Sequence, residues 1–225
     1  MTKGLIGVLS LLAACCINAQ SAEPAAPLAK EPIPTLPPIS VDKILTPEAA
    51  KHPHVCFVNV GSKVDAKLFR EAAAAVSKLL RVYSTVETAQ KLDPETILKR
   101  TDHNIRFGDK AVLVVYAVNN PEIVSFLNAP GKWALINISG LDRDKPEPER
   151  YRRRLQQMLL KGMAHACGVG ATAESRCVMF SESFTLDGMD KTSVSYSPFA
   201  AFPIQNLLST LGGEEIFIPF ETPLE

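Results

Sequence analysis

The side chains best suited to chemistry fall in KGMAHACGVGATAESRCVM, residues 161–179. His165, Cys167 and Cys177 are of the types that ligate transition metals, and an imidazole can also move protons near neutral pH. The spacing predicts a helix ending near Cys167, with Gly168 and Gly170 as its stop. On that helix Leu155, Met158, Leu159, Gly162, His165 and Ala166 share one stripe. His165 then points inward at the end of the buried face, and Lys161 lies one turn earlier on nearly the same side. Cys167 is two residues beyond His165 and points away. His165 reads either as a half-buried imidazole with ordinary hydrogen bonds or as a metal ligand. Lys161 either snorkels its amine to water or holds a fixed positive charge that binds a carboxylate. Met179 reads as packing beneath the helix, since methionine fills irregular gaps.

Other candidates carry less. His52 and His54 in HPH border an expected strand and read as loop histidines or a surface metal pair. His103 reads as a turn residue. Ser181 and Ser183 have no base partner evident in the sequence. The basic cluster RYRRR at residues 150–154 reads as a solvated helix face rather than a phosphate site. The acidic residues of DGMDK are expected to position the loop after Met179. There is no G-x-S-x-G, P-loop or dinucleotide fingerprint.

The elements that must hold these residues come from a chain of 225 residues, 46% hydrophobic and 21% charged, with formal net charge +0. Such a composition supports one apolar core and argues against nucleic-acid binding, which normally needs a basic excess. HVCFVNVG (residues 54–61) reads as a buried strand, followed by a long amphipathic helix through SKVDAKLFREAAAAVSKLLRVY. Its stripe is Val64, Leu68, Ala72, Val76 and Leu79 or Leu80. DPETILKR predicts a short helix capped by Asp93. KAVLVVYAV is the strongest strand, NPEIVSFL a helical turn, and KWALINIS another strand. The long helix carrying His165 begins near Pro146 or Pro148. PIQNLLSTLGG predicts a short helix from Pro203, and EEIFIPFETPLE an extended tail or edge strand. This order gives one α/β or α+β domain.

The first 19 residues read as an export signal, with Lys3 before a short apolar run. That run is too short to span a bilayer. LAAC ending at Cys15 matches a lipobox, so Cys15 is a candidate lipidation site; a cut after Ala19 is the alternative. Residues 20–52 are proline-rich and read as a tether, and the folded domain covers residues 53–225. Only Cys56, Cys167 and Cys177 then remain. Cys167–Cys177 is the candidate disulfide, with buried free thiols as the equal alternative.

Residues 161–179 resemble the archaemetzincin branch of the metzincin zinc peptidases, whose motif is HExxHxxGxxHC, four residues, then CxM. His165 falls on the second histidine, Gly168 on the glycine, Cys177 on the later cysteine and Met179 on the methionine of the Met-turn. KWALINIS is similar to the family's edge strand and LVVYAV to its central strand. The resemblance spans roughly residues 54–196. It implies a metzincin-like single domain of α+β, sandwich-like type, with a mixed twisted sheet, two long helices and a Met-turn. Against the motif, Lys161 stands at the first histidine, Gly162 at the glutamate, Ala171 at the third histidine and Thr172 at the next cysteine. The resemblance thus implies that two zinc sites keep one ligand each, His165 and Cys177. A catalytic zinc needs three protein ligands and an open position, and the glutamate serves as general base.

Three functions follow. The first is an exported, non-catalytic domain with no metal or other cofactor. Its remnant cleft, around Lys161, His165, Gly168, Cys177 and Met179, would take an extended peptide or protein. The peptide would add as a strand along KWALINIS. The second is an active zinc-dependent peptidase with a rearranged metal site using His165, Cys167 or Cys177 and a distant histidine. The third is a structural lipoprotein whose domain is a scaffold. The expected location is the periplasm or the outer membrane through a lipid anchor, otherwise outside the cell.

Overall fold

The computed structural model describes residues 49–61, 64–89, 110–121, 127–129 and 133–217. The expected export signal, Cys15, nearly all of the tether, the helix at residues 93–100 and His103 lie outside them.

Five strands form one sheet: β1 (His54–Val60), β2 (Ser84–Ala89), β3 (Ala111–Val118), β4 (Leu127–Ala129) and β5 (Trp133–Asn137). Their order is β2-β1-β3-β5-β4. The first four in that order run parallel, and β4 pairs antiparallel at the edge. β1 and β3 are almost wholly buried, as their largely apolar sequences require of central parallel strands.

Alternate residues of the strands feed two cores. Val55, Phe57, Leu113, Val115, Ala134 and Ile136 join the helices on one face. Cys56, Val58, Val114, Tyr116, Trp133 and Leu135 form a second cluster on the other. There Tyr116 and Trp133 meet edge to face at 6.4 Å.

The helices are α1 (Ala66–Leu80), α2 (Pro148–Ala166), α3 (Leu186–Lys191) and α4 (Pro198–Gly212). Asp65 caps α1 by accepting from the Leu68 N–H at 2.9 Å. The buried stripe of α1 is Phe69, Ala72, Ala73 and Val76. Val64, Ala72 and Val76 are buried as expected and Leu80 rather than the exposed Leu79 packs against the core, while Phe69 takes the place of Leu68. The helix also stops earlier than expected, at Leu80, where Arg81 adopts a left-handed φ of 54°. That turn releases the chain into β2, a strand absent from the sequence reading.

KWALINIS does form a strand, but not the edge. β4 pairs with it from Trp133 to Leu135, so the outer edge belongs to Leu127–Ala129. The expected helical turn of NPEIVSFL therefore ends in a strand residue, Leu127. α4 begins at Pro198, not Pro203. Pro203 lacks an N–H for the Phe199 carbonyl, and Phe199 is 85% exposed, so water can serve that carbonyl. The expected extended tail is a 3-10 turn at Gly213–Ile216, with Phe217 bridging Val82. Residues 218–225 lie outside the described part.

Candidate functional site

α2 positions the site. Pro148 opens it and Glu149 stands in its first turn. It ends in a Schellman motif: Val169 N–H donates to Ala164 O at 2.8 Å and Gly168 N–H to His165 O at 2.9 Å. Gly168 has φ +77°, the left-handed value that this motif reserves for glycine. Its part in the remnant site is thus to turn the chain just beyond His165.

Gly162 lies against the sheet. A Cβ there would stand 2.6 Å from Val115 Cγ1 and 3.0 Å from Ile136 Cγ2. Real side chains do not approach so closely, so the missing side chain sets how near α2 lies to β3 and β5.

Lys161, one residue earlier, is fully buried. The expectation that its amine snorkels to water fails: Nζ donates to the Ser183 carbonyl. It also lies 4.5 Å from the Phe184 ring centroid, within cation–π range. Burial pulls the ammonium down to about 8. His165, half-buried at the end of the same face, meets Phe184 edge to face at 6.3 Å. Burial first, and the Lys161 charge second, lower its imidazole below the usual value. The ring is therefore biased to the neutral form.

Cys177 and Met179 belong to a tight turn under full burial. Phe180 N–H donates to Cys177 O at 2.9 Å, and Thr172 N–H to Met179 O at 2.8 Å. Cys56, Cys167 and Cys177 are all free thiols, so the Cys167–Cys177 disulfide is not formed. Cys177 Sγ is turned instead to the N–H groups of Met179 and Ser197, at 3.4 and 3.3 Å. Met179 sits in the main core, as a packing methionine should.

The structure brings Lys161 and His165 together through Phe184, and places Cys177 and Met179 in the turn. Among the described residues no three His, Cys, Asp or Glu side chains gather as a metal site would need. His54 is not a loop histidine but the buried first residue of β1, with Nδ1 2.8 Å from His52 O. His52 stacks on Tyr83 at 4.3 Å. The Ser183 hydroxyl donates to Val178 O and Phe180 O at 2.7 and 2.6 Å, closing the turn rather than serving as a nucleophile.

Sequence reasoning missed the support around this site. Arg154 in RYRRR is not on a solvated face; it is 1% exposed. All five donors are used. Nε and Nη2 reach Asp190 at 2.8 and 2.5 Å, Nη1 and Nη2 reach Asp144 at 2.6 and 2.9 Å, and Nη1 also reaches Leu141 O at 2.9 Å. Hydrogen bonding to Arg154 holds Asp144 down to about 2 and lowers Asp190 as well. Gln157 Nε2 donates to Met189 O and Thr192 O at 2.8 and 2.9 Å. So α2 clamps α3, and DGMDK does position the chain after Met179. Phe184 was missed too; its only signal was its place just after FSES, four residues beyond Phe180.

A cleft of 460 Å³ opens beside Phe184, lined among others by Asn137, Ser139, Arg143, Met158 and Met189. It lies where β5 ends, the side of a parallel sheet on which ligands usually bind.

No protein-family description matches the sequence, and no curated protein matches it. Solved structures do. The archaemetzincin of Methanopyrus kandleri, at 1.5 Å resolution, aligns with TM-score 0.53 and 21% identity, over 73% of this chain and 99% of that one. A zinc-dependent peptidase from Methanocorpusculum labreanum aligns at TM-score 0.47 and 16% identity, over 66% and 99%. The Archaeoglobus fulgidus archaemetzincin complexed with malonate aligns at 0.49 and 14%, over 66% and 98%. With its mixed sheet, the helices packed on it and the buried turn at Met179, this chain carries the archaemetzincin fold.

Proposed function

We propose that this protein is an exported, membrane-tethered domain that keeps the archaemetzincin fold without its zinc chemistry and binds an extended peptide or protein segment. The observation that carries the reading is Gly162. The position corresponding to the general base has no side chain, and the space a Cβ would need is taken by Val115 and Ile136. A carboxylate cannot be restored there without moving α2 off the sheet.

The neighbouring donors fit zinc no better. Lys161 is a buried cation already bound to Ser183 O and covered by Phe184. A protonated amine offers no lone pair to a metal. Ala171, at the third ligand position, has no donor atom. His165 alone cannot hold a catalytic zinc, which needs three protein ligands.

Two features support peptide binding. β4 lies at the sheet edge, where an extended segment can add through backbone hydrogen bonds. The cleft beside Phe184 mixes apolar walls from Met158 and Met189 with one guanidinium, Arg143. Such a pocket suits a side chain of the added segment. The N-terminal export signal, with Cys15 as lipid acceptor and residues 20–52 as tether, would hold the domain at a membrane surface.

A peptide library displayed to the purified protein tests the reading. Binding of extended peptides, with recovered peptides uncut, is expected. Cleavage abolished by a chelator would establish the peptidase alternative instead. No peptide binding would leave the scaffold reading in its place.

A further inference from the structure

We propose that the outer face of α4 is a membrane-contact surface, seated in the headgroup region of a bilayer. α4 buries Ala200, Ile204 and Leu208 toward the core. Successive residues turn by about 100°, so Phe199, Phe202, Asn206, Ser209 and Thr210 point the opposite way. Phe199 is 85% and Phe202 71% exposed. A single exposed Phe is ordinary. Two of them at i, i+3 on a face without charge are not.

Residues 197–213 contain no Asp, Glu, Lys or Arg. The water-facing side of a surface helix normally carries charge, as Glu149 and Arg150 do on α2. Exposed Phe side chains without flanking charge can instead enter the headgroup and acyl boundary of a bilayer. It lies on the surface; among the described residues no helix is long and apolar enough to cross.

A second observation concerns where the chain enters the described part. A Cβ on Gly212 would stand 3.1 Å from Pro53 Cβ. Pro53 therefore lies at the C-terminal end of α4, and residues 20–48, read as a tether, precede the first described residue, Ala49. If they lead to lipid at Cys15, the uncharged face is held near the membrane at high effective concentration. This part of the inference rests on the tethered reading; the contact itself does not. A protein partner fits less well. Protein-binding hot spots are enriched in Trp, Tyr and Arg, and the outward-facing residues of α4 include none of these.

The test uses the full chain with Phe202→Trp. The one natural tryptophan, Trp133, is buried and gives a constant background. Phosphatidylcholine vesicles are added with and without bromine near the headgroup end of the acyl chains. The indole at position 202 is expected to shift to the blue and to be quenched by the brominated lipid, in low and high salt alike. Adding Phe199→Ser should lower the seated-to-free ratio about tenfold, the worth of one buried Phe. An indole that keeps its water-exposed emission on vesicle-bound chain overturns the proposal. So does a ratio unmoved by Phe199→Ser, or a shift that a soluble protein produces and vesicles do not. Mass spectrometry at Cys15 reports the anchor separately, so an unlipidated chain refutes the tether while the indole still decides the face.

Discussion

Gly162→Ala isolates the contact on which the account turns. The new methyl would lie 2.6 Å from Val115 Cγ1 and 3.0 Å from Ile136 Cγ2. Both neighbours are β-branched and fully buried in central strands, so neither can rotate away cheaply. Overpacking of this kind costs about 1–3 kcal/mol, and two stiff neighbours place it near 3. Alanine recovers about 1 kcal/mol of helix propensity over glycine. The net is a loss of about 2 kcal/mol, or a fall of roughly 4–8 °C in Tm for a domain of this size. Thermal unfolding followed by circular dichroism, with urea titration beside it, measures both quantities. A Tm that is unchanged or raised, as propensity alone would give, refutes the close approach of α2 to the sheet. Gly162→Glu, which restores the motif carboxylate, is expected not to fold stably, because it adds a buried charge to the same clash.

Lys161 gives a pH test. Its folded value lies near 8 against an ordinary 10.5, so the unfolded chain binds more protons between those limits. Stability should therefore rise as pH goes from about 8 to 10.5, and Lys161→Met should flatten that rise in urea titrations. The Arg154 clamp works at the other end of the scale. Asp144 and Asp190 are held low in the fold, so their contribution is present above about pH 4 and lost as pH falls toward 2. Arg154→Met should remove that acid dependence and lower stability at neutral pH, read by urea titration at pH 7 and 3. Burial pushes Cys167 up to about 12 and Cys56 well above its ordinary value. Native protein should therefore react slowly with thiol reagents, and digestion without reductant should yield no Cys167–Cys177 bridged peptide.

The strands β1, β3 and β5 were readable because central parallel strands are largely apolar runs, and α2 because its stripe repeats over about three turns. β2 was not. Ser84, Thr85, Glu87 and Thr88 make it look like loop, and VY before it fitted the preceding helical pattern. Its β-branched Thr85, Val86 and Thr88 were the available signal. The sheet order could not be read either, so KWALINIS passed for an edge until β4 was seen beside it.

Within the site, the spacing of His165, Gly168, Cys177 and Met179 was legible because it is local. The state of Lys161 was not. Whether a lysine snorkels depends on what covers it, and here Ser183 and Phe184 arrive from 22 and 23 residues away. Arg154 is the same case. Nothing local distinguishes it from Arg150, Arg152 and Arg153, and its partners come from a loop before the helix and from α3 after it.

Zinc content of the chain purified without added metal tests the central claim most directly. Far less than one zinc per chain, with no chelator-sensitive peptide cleavage, is the predicted result. One tightly held zinc per chain, lost together with cleavage when His165→Ala is introduced, would contradict it.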